Sequence, residues 1–220
     1  CFLGATAKPA AHVVRLYKGQ AMEPDEETVG SVGPIWRELH GGLWHTTHPE
    51  RFMGIIDSGA ISPEPDIPER DRWGTARGRK HYPYVRFIGG VSLFDFNEFD
   101  PKNYEAEYPI SSWRAFAPYR REWRGAIWVE IDRELVAPQF VSGPNLLTKY
   151  KTGGDLGHNI MPIIEAAHIG PVPLGAFKKV LFIRSGDDGQ FHELAITEFD
   201  RPAYEELLNG WCEDKRIARR

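Results

Sequence analysis

Seventeen prolines and 22 glycines, spread along 220 residues, limit what this chain can fold into. Proline lacks the amide donor that helix interiors and central strands need, and glycine marks turns and stops. Punctuation of this density favours many turns and strands over long helices. The clearest run between breaks is Gly125-Ala126-Ile127-Trp128-Val129-Glu130-Ile131-Asp132, rich in β-branched and aromatic side chains and predicted as a strand. Val180-Leu181-Phe182-Ile183 reads as a buried strand, with Phe191 to Ile196 as its hairpin partner across Gly186-Asp187-Asp188-Gly189. The end of the chain is the exception. Pro202 lies in a first turn, and Tyr204, Leu207, Leu208 and Trp211 recur at helical spacing, a stripe that suits core packing.

Composition narrows the class. Hydrophobic residues make up 41% and charged residues 26%, ordinary globular usage that argues against wholesale disorder. The length suits one domain. A net charge of −4 excludes a uniformly basic nucleic-acid coat. No apolar stretch reaches the roughly 18 residues of a membrane span, so no membrane partner is expected. No signal peptide is visible, and the start at Cys1 reads as a processed or trimmed chain. Two cysteines, Cys1 and Cys212, are too few for a disulfide scaffold and fit a reducing, cytoplasmic setting. His40, His45 and His48 lack a zinc-motif spacing, so no metal is expected. Neither a Walker loop nor a dinucleotide fingerprint is present, so a Rossmann nucleotide site is not indicated.

Along the chain, residues 1–42 form an extension of weak pattern. Leu16-Tyr17 is a candidate short strand there, and Glu23-Pro24-Asp25-Glu26-Glu27 an acidic solvated loop. Leu43-Trp44-His45-Thr46-Thr47 then predicts a short strand. A helix follows, with Pro49 at its first position, Phe52, Ile55 and Ile56 on its apolar face, and Gly59 as its stop. Residues 62–84, rich in Pro, Arg, Asp and Glu, read as a long exposed loop, and loops of that length are often functional. Tyr84 to Phe96 reads as a strand region broken at Gly89-Gly90, where a bulge or a close backbone approach is expected. Ser112 to Arg124 has helical potential, and residues 137–159 read as loop around Gly153-Gly154. Ile160 to Ile169 reads either way. Asn159 as a cap and Gly170 as a stop favour a helix, while Pro162 and Ile163-Ile164 favour an extended entry.

Three segments carry a resemblance. Leu43-Trp44-His45-Thr46-Thr47, with the helix to Ser58-Gly59-Ala60-Ile61, resembles the opening of ADP-ribosyltransferase-fold proteins: a hydrophobic pair, His, a small residue, Thr or Ser, then a helix ending in Gly. Thr46 stands where many members carry Gly. Ile163-Ile164-Glu165-Ala166-Ala167-His168-Ile169-Gly170-Pro171-Val172-Pro173-Leu174, before Phe177-Lys178-Lys179-Val180-Leu181, resembles the late segment of the nucleic-acid-modifying toxin branch. There a Glu opens a strand, so the likeness favours the strand reading. Gly89-Gly90-Val91-Ser92-Leu93-Phe94 is similar to the middle motif, a strand with Ser or Tyr and a ring that stacks on nicotinamide. Ser92 takes the Ser position and Phe94 or Phe96 the ring. Tyr82 and Tyr84 compete for the Tyr role, and plain core packing is the ordinary reading of both Phe residues.

The resemblance implies an α+β fold with an ADP-ribosyltransferase-like split, mixed/antiparallel β-sheet core and flanking helices, over residues 43–220. It implies NAD as co-substrate, His45, Thr46, Thr47, Ser92 and Phe94 around it, and Glu165 with His45 as the catalytic pair. The chemistry suits these residue types. Breaking the nicotinamide–ribose bond builds positive charge on the ribose, which a fixed carboxylate stabilises. The implied partner is a macromolecular acceptor, protein or nucleic acid, with an antitoxin or inhibitor if the role is that of a toxin or phage–host conflict enzyme. The alternatives are an NAD-dependent RNA 2′-phosphotransferase and an inactive module that binds nucleotide or nucleic acid. Arg114, Arg120, Arg121 and Arg124 among Trp113, Phe116, Tyr119 and Trp123 suit a nucleic-acid strand, or the solvent face of an amphipathic helix. Arg70, Arg72, Arg77, Arg79 and Lys80 form a second basic loop, suited to NAD phosphates or a target.

Overall fold

The computed structural model describes residues 26–154, 157–185, 190–196 and 199–217. Cys1, Leu16-Tyr17, the first half of the acidic run and the Gly186–Gly189 turn lie outside the described residues. The fold is α+β and built on one large antiparallel sheet. Its elements are α1 (Glu26–Val32), α2 (Trp36–Leu39), β1 (Leu43–Thr47), α3 (Pro49–Ser58), β2 (Ala60–Ile61), α4 (Tyr84–Phe87), β3 (Gly90–Asp95) and α5 (Pro101–Glu107). Then come β4 (Gly125–Ile131), α6 (Arg133–Val136), β5 (Phe140–Val141), α7 (Gly143–Thr152), β6 (Glu165–Ile169), β7 (Val172–Pro173), β8 (Phe177–Arg184), β9 (Phe191–Glu193) and α8 (Arg201–Ile217). Seven strands form the main sheet in the order β5-β6-β3-β1-β4-β8-β9, and β2 pairs with β7 beside it.

Both faces of the sheet are covered, which explains why β4 reads as an almost unbroken apolar run. Successive residues point to opposite faces. Ala126 and Trp128 enter one core with Trp44, Phe94 and Leu181, which α1, α2 and the Ile35 between them close with Val29, Val32, Trp36 and Leu39. Ile127, Val129 and Ile131 enter the other with Leu93, Val180 and Phe182, closed by Phe52 of α3 and by Tyr204 and Trp211 of α8. Each fully buried side chain of this kind contributes about 1.5–3 kcal/mol. The Tyr204 hydroxyl donates to the Pro49 carbonyl at 2.7 Å, tying α8 to the first turn of α3. The core thus begins before Leu43, with α1 and α2 inside the stretch of weak pattern, and the Trp44 indole donates to Leu39 O at 2.9 Å.

Local signals account for most elements. His48 caps α3, Pro49 opens it and Gly59 ends it at φ 74°. Three expectations are overturned. Val85 to Phe87 is helical, not extended: Pro83 and the left-handed Gly89 bracket one turn, and the strand starts at Gly90. A Cβ on Gly90 would lie 3.0 Å from Val85 Cγ1, so the close approach expected there is real. Ser112 to Arg124 holds only a short 3-10 turn at Trp113–Ala115, because Pro118 interrupts it and Trp113 and Phe116 turn into the core. The helix lies earlier, at α5, where the Asp100 carboxylate accepts from the amides of Lys102 at 3.0 Å and Asn103 at 3.2 Å. Residues 143–152, expected as loop, form α7. Its inner contacts come from Leu146, Leu147 and Tyr150, too few apolar side chains to stand out as a pattern.

Candidate active site

The strand β1 has two neighbours and treats them differently. Against β4 it pairs from Trp44 through Thr47. Against β3 it pairs only at Leu43–Asp95 and Trp44–Phe94, although both strands run on. Beyond that point β3 follows β6, paired from Phe94 back to Gly90. The sheet therefore opens between the second half of β1 and the first half of β3. A cavity of about 530 Å³ fills this opening, lined by His45, Thr46 and Thr47 on one side and by Ser92, Phe94 and Glu165 on the other.

A chain of hydrogen bonds spans the opening. His45 Nδ1 lies 3.0 Å from the Ser92 carbonyl oxygen, which only accepts, so Nδ1 carries the proton. Burial holds the His45 ring below its ordinary pKa and thus neutral, which leaves Nε2 as an acceptor. Ser92 Oγ donates to Glu165 Oε1 at 2.7 Å, and the Met161 amide donates to Glu165 Oε2 at 2.9 Å. Glu165 is 3% exposed, and among the described residues no Lys, Arg or His pairs with it. Burial pushes its carboxyl above the usual range, against the two hydrogen bonds that pull it down. An isolated buried carboxylate costs several kcal/mol relative to a paired one (order of magnitude). A desolvated carboxyl in a cleft makes this a candidate functional site.

The segment that delivers Glu165 is constrained. Ile163 has φ 65°, a left-handed conformation that β-branched residues rarely adopt. Gly143 at the start of α7 packs so close to the Ile163 carbonyl that a side chain there has no room. This contact fixes the turn that aims the Met161 amide at the carboxylate.

The other walls come from two loops. The 62–84 loop crosses the cavity with Pro65, Ile67, Arg72 and Trp73, and the 113–124 segment supplies Phe116 and Trp123. Trp73 packs edge-on to Phe116, with ring centroids 5.2 Å apart. The loop is pinned at its base. Arg86 of α4 donates to Glu64 at 2.9 Å and also to Glu69, Arg72 bonds Glu64, and Arg51 of α3 bonds the Asp71 carbonyl. The Arg86 guanidinium holds the Glu69 carboxyl well below the usual carboxylate range. Two buried polar atoms of residues that line the cavity, Thr46 Oγ1 and Arg72 Nε, have no hydrogen-bond partner among the described residues.

The structure thus brings His45, Thr46, Thr47, Ser92, Phe94 and Glu165 to one cavity. It leaves out Phe96, which is fully buried and stacks on Phe94 with centroids 5.6 Å apart. Tyr84 is buried in a separate cluster, and Tyr82 lines a second cavity. Of the second basic loop, Arg72 lines the first cavity, while Arg79 and Lys80 line the second. Sequence reasoning did not single out Arg51, Trp73, Met161, or Phe116 and Trp123 as cavity walls. The signal for Trp73 was the length of its loop. Phe116 and Trp123 lay in an aromatic and arginine-rich stretch read as either a nucleic-acid strand surface or an amphipathic helix with an arginine-rich solvent face. No cluster of three or more metal-ligating side chains occurs among the described residues, and none of their helices is long and apolar enough to cross a membrane. In comparison with known proteins, the chain matches no family model and no curated protein.

Proposed function

We propose that the protein is an ADP-ribosyltransferase that uses NAD as co-substrate and modifies a macromolecular acceptor, with Glu165 as the catalytic carboxylate and His45 as its partner on the nucleotide. The observation that carries this reading is the unpaired, buried Glu165 carboxylate, joined through Ser92 to the His45 edge of the sheet opening. The antiparallel sheet that parts between β1 and β3 also suits the split-sheet transferase fold.

The residues fit a dinucleotide. A cavity of about 530 Å³ lies in the size range of small-molecule sites. Thr46 and Arg72 line the cavity and suit polar groups of a nucleotide, an amide and a phosphate. Neutral His45 accepts a ribose hydroxyl at Nε2. Phe94, Trp73 and Phe116 offer flat apolar surface to a heterocycle.

Glu165 accepts the hydrogen bond of the ribose 2′-hydroxyl and stabilises the positive charge that grows as the nicotinamide–ribose C–N bond breaks. Nicotinamide leaves, the acceptor atom bonds to the same ribose carbon, and the proton that the acceptor loses passes to Glu165. The raised carboxyl of the unliganded site serves that last step, since it takes up a proton more readily than an exposed carboxylate.

Nicotinamide release from NAD, measured with and without cell lysate as a source of acceptor, tests the reading. Release that lysate stimulates is expected. NAD binding without release under any condition would replace the transferase with an inactive binding module. Absence of both binding and release would remove the NAD reading altogether.

A further inference from the structure

The turn α4 borders two cavities. Val85 lines the one described above, Phe87 and Glu64 line a second of about 520 Å³, and Arg86 lines both. Phe87 is 53% exposed, which is unusual for a phenyl ring on a well-packed turn. Its ring lies against the imidazole of His158, with centroids 4.3 Å apart and planes 28° from parallel. The two rings stack face to face, so the platform this pair offers at the wall of the cavity is the outer face of the exposed Phe87 ring, backed by His158.

The platform is rigidly mounted. His158 Nδ1 is 2.7 Å from the Tyr82 carbonyl, Asn159 Nδ2 donates to the His81 carbonyl at 2.9 Å, and the Tyr84 amide donates to the Asn159 carbonyl at 2.8 Å. No ligand is needed to assemble it, so the ordering cost of binding is small.

Its charge is one-sided. Among the described residues, the nearby carboxylates Glu64 and Glu69 are taken by Arg72 and Arg86. Arg79 and Lys80, both exposed and both lining the second cavity, form no ion pair among the described residues. A flat aromatic surface beside uncompensated cations recognises a stacked base and its phosphates. A duplex hides the faces of its bases, and an acidic peptide answers the cations without using the rings. The chemistry therefore favours an unpaired strand.

We propose that the Phe87–His158 platform binds an exposed base of single-stranded nucleic acid, with Arg79 and Lys80 on the adjoining phosphates. As the docking place of the acceptor it rests on the transferase reading, because Arg86 and Val85 border the Glu165 cavity and the His158 segment leads into Glu165. The binding itself stands apart from that reading.

Fluorescence anisotropy of the full chain without NAD, using a labelled oligothymidylate or oligouridylate of about twelve nucleotides, tests it. Saturable binding of at least one strand is expected, weaker for a duplex of equal length, and the two arms identify DNA or RNA as the preferred strand. Phe87→Ala is expected to weaken binding about ten-fold or more, and Phe87→Trp to preserve it. Arg79→Gln with Lys80→Gln is expected to flatten the salt dependence by roughly 1.4 in log–log slope. No binding of either strand, equal binding by Phe87→Ala, tighter duplex binding, or displacement by polyglutamate that ignores Phe87 would overturn the proposal. Nicotinamide release measured in parallel separates the two readings. Strand binding without release leaves the platform standing and removes the transferase; release without strand binding does the reverse.

Discussion

The two sides of β1 are built from similar strands and serve opposite ends. Toward β4 the pairing continues to Thr47, and Ile127, Trp128 and Val129 there are all fully buried. Toward β3 the pairing stops after Trp44, and the side chains that face the opening include the polar His45, Thr46, Ser92 and Glu165. The zipped side holds the fold together by burial. The open side holds groups that weaken the fold, a desolvated carboxylate and an unsatisfied hydroxyl. Where stability is given up in this sheet, the chemistry is placed.

That contrast is sharpest in its expected responses to substitution. Trp128→Ala on the zipped side is expected to cost about 3–5 kcal/mol, read as a fall in the denaturation midpoint at unchanged m-value. A loss under about 1 kcal/mol would mean that β4 does not carry the core. On the open side, Thr46→Val keeps the shape and removes a hydroxyl that has no partner. It is expected to raise stability by about 1 kcal/mol while weakening NAD binding. A destabilised variant with unchanged NAD affinity would contradict the orphan-hydroxyl account.

Titration separates the sides further. The Ser92 hydrogen bond lowers the Glu165 pKa, against the larger effect of burial that raises it. Removing the donor in Ser92→Ala therefore moves the acid limb of the pH–rate profile to higher pH; a shift to lower pH would show that Ser92 does not act through Glu165. The stability linkage has a definite sign. Because the folded-state pKa of Glu165 is raised, its contribution is fully present below the unfolded value and is lost as pH rises through the folded one. Glu165→Gln removes that loss. Its Tm is expected to exceed that of wild type near pH 7 and to converge with it toward about pH 4. The Gln fits because the Ser92 hydroxyl rotates to accept its amide while Oε1 still takes the Met161 N–H.

Much of this contrast was legible in the sequence, for unequal reasons. The zipped side announced itself through β-branched density, as in Ile127 to Ile131, and through the Pro49 and Gly59 signals that frame α3. Residues of the open side were reached through short likenesses around His45, Ser92 and Glu165. Their meeting could not be read from spacing, since Ser92 and Glu165 are 73 positions apart. Trp73 and Phe116 meet through loop packing that has no period at all. The helix α7 escaped because tertiary burial of Leu146 and Leu147 stabilises it more than its own polar sequence does. The strand expected at Val85 was lost because Pro83, which carried no weight in the sequence reading, and Gly89, read there as a strand break, bracket a helical turn.

The central claim is that the sheet opening is a catalytic cleft with Glu165 at its working end. Single-turnover nicotinamide release and the NAD dissociation constant, measured together on wild type and a folded Glu165→Gln variant, test it most directly. The account predicts NAD affinity within about three-fold of wild type and release slowed by about 1,000-fold, the scale on which electrostatic transition-state contacts act. Release at the wild-type rate by a folded Glu165→Gln variant would contradict it.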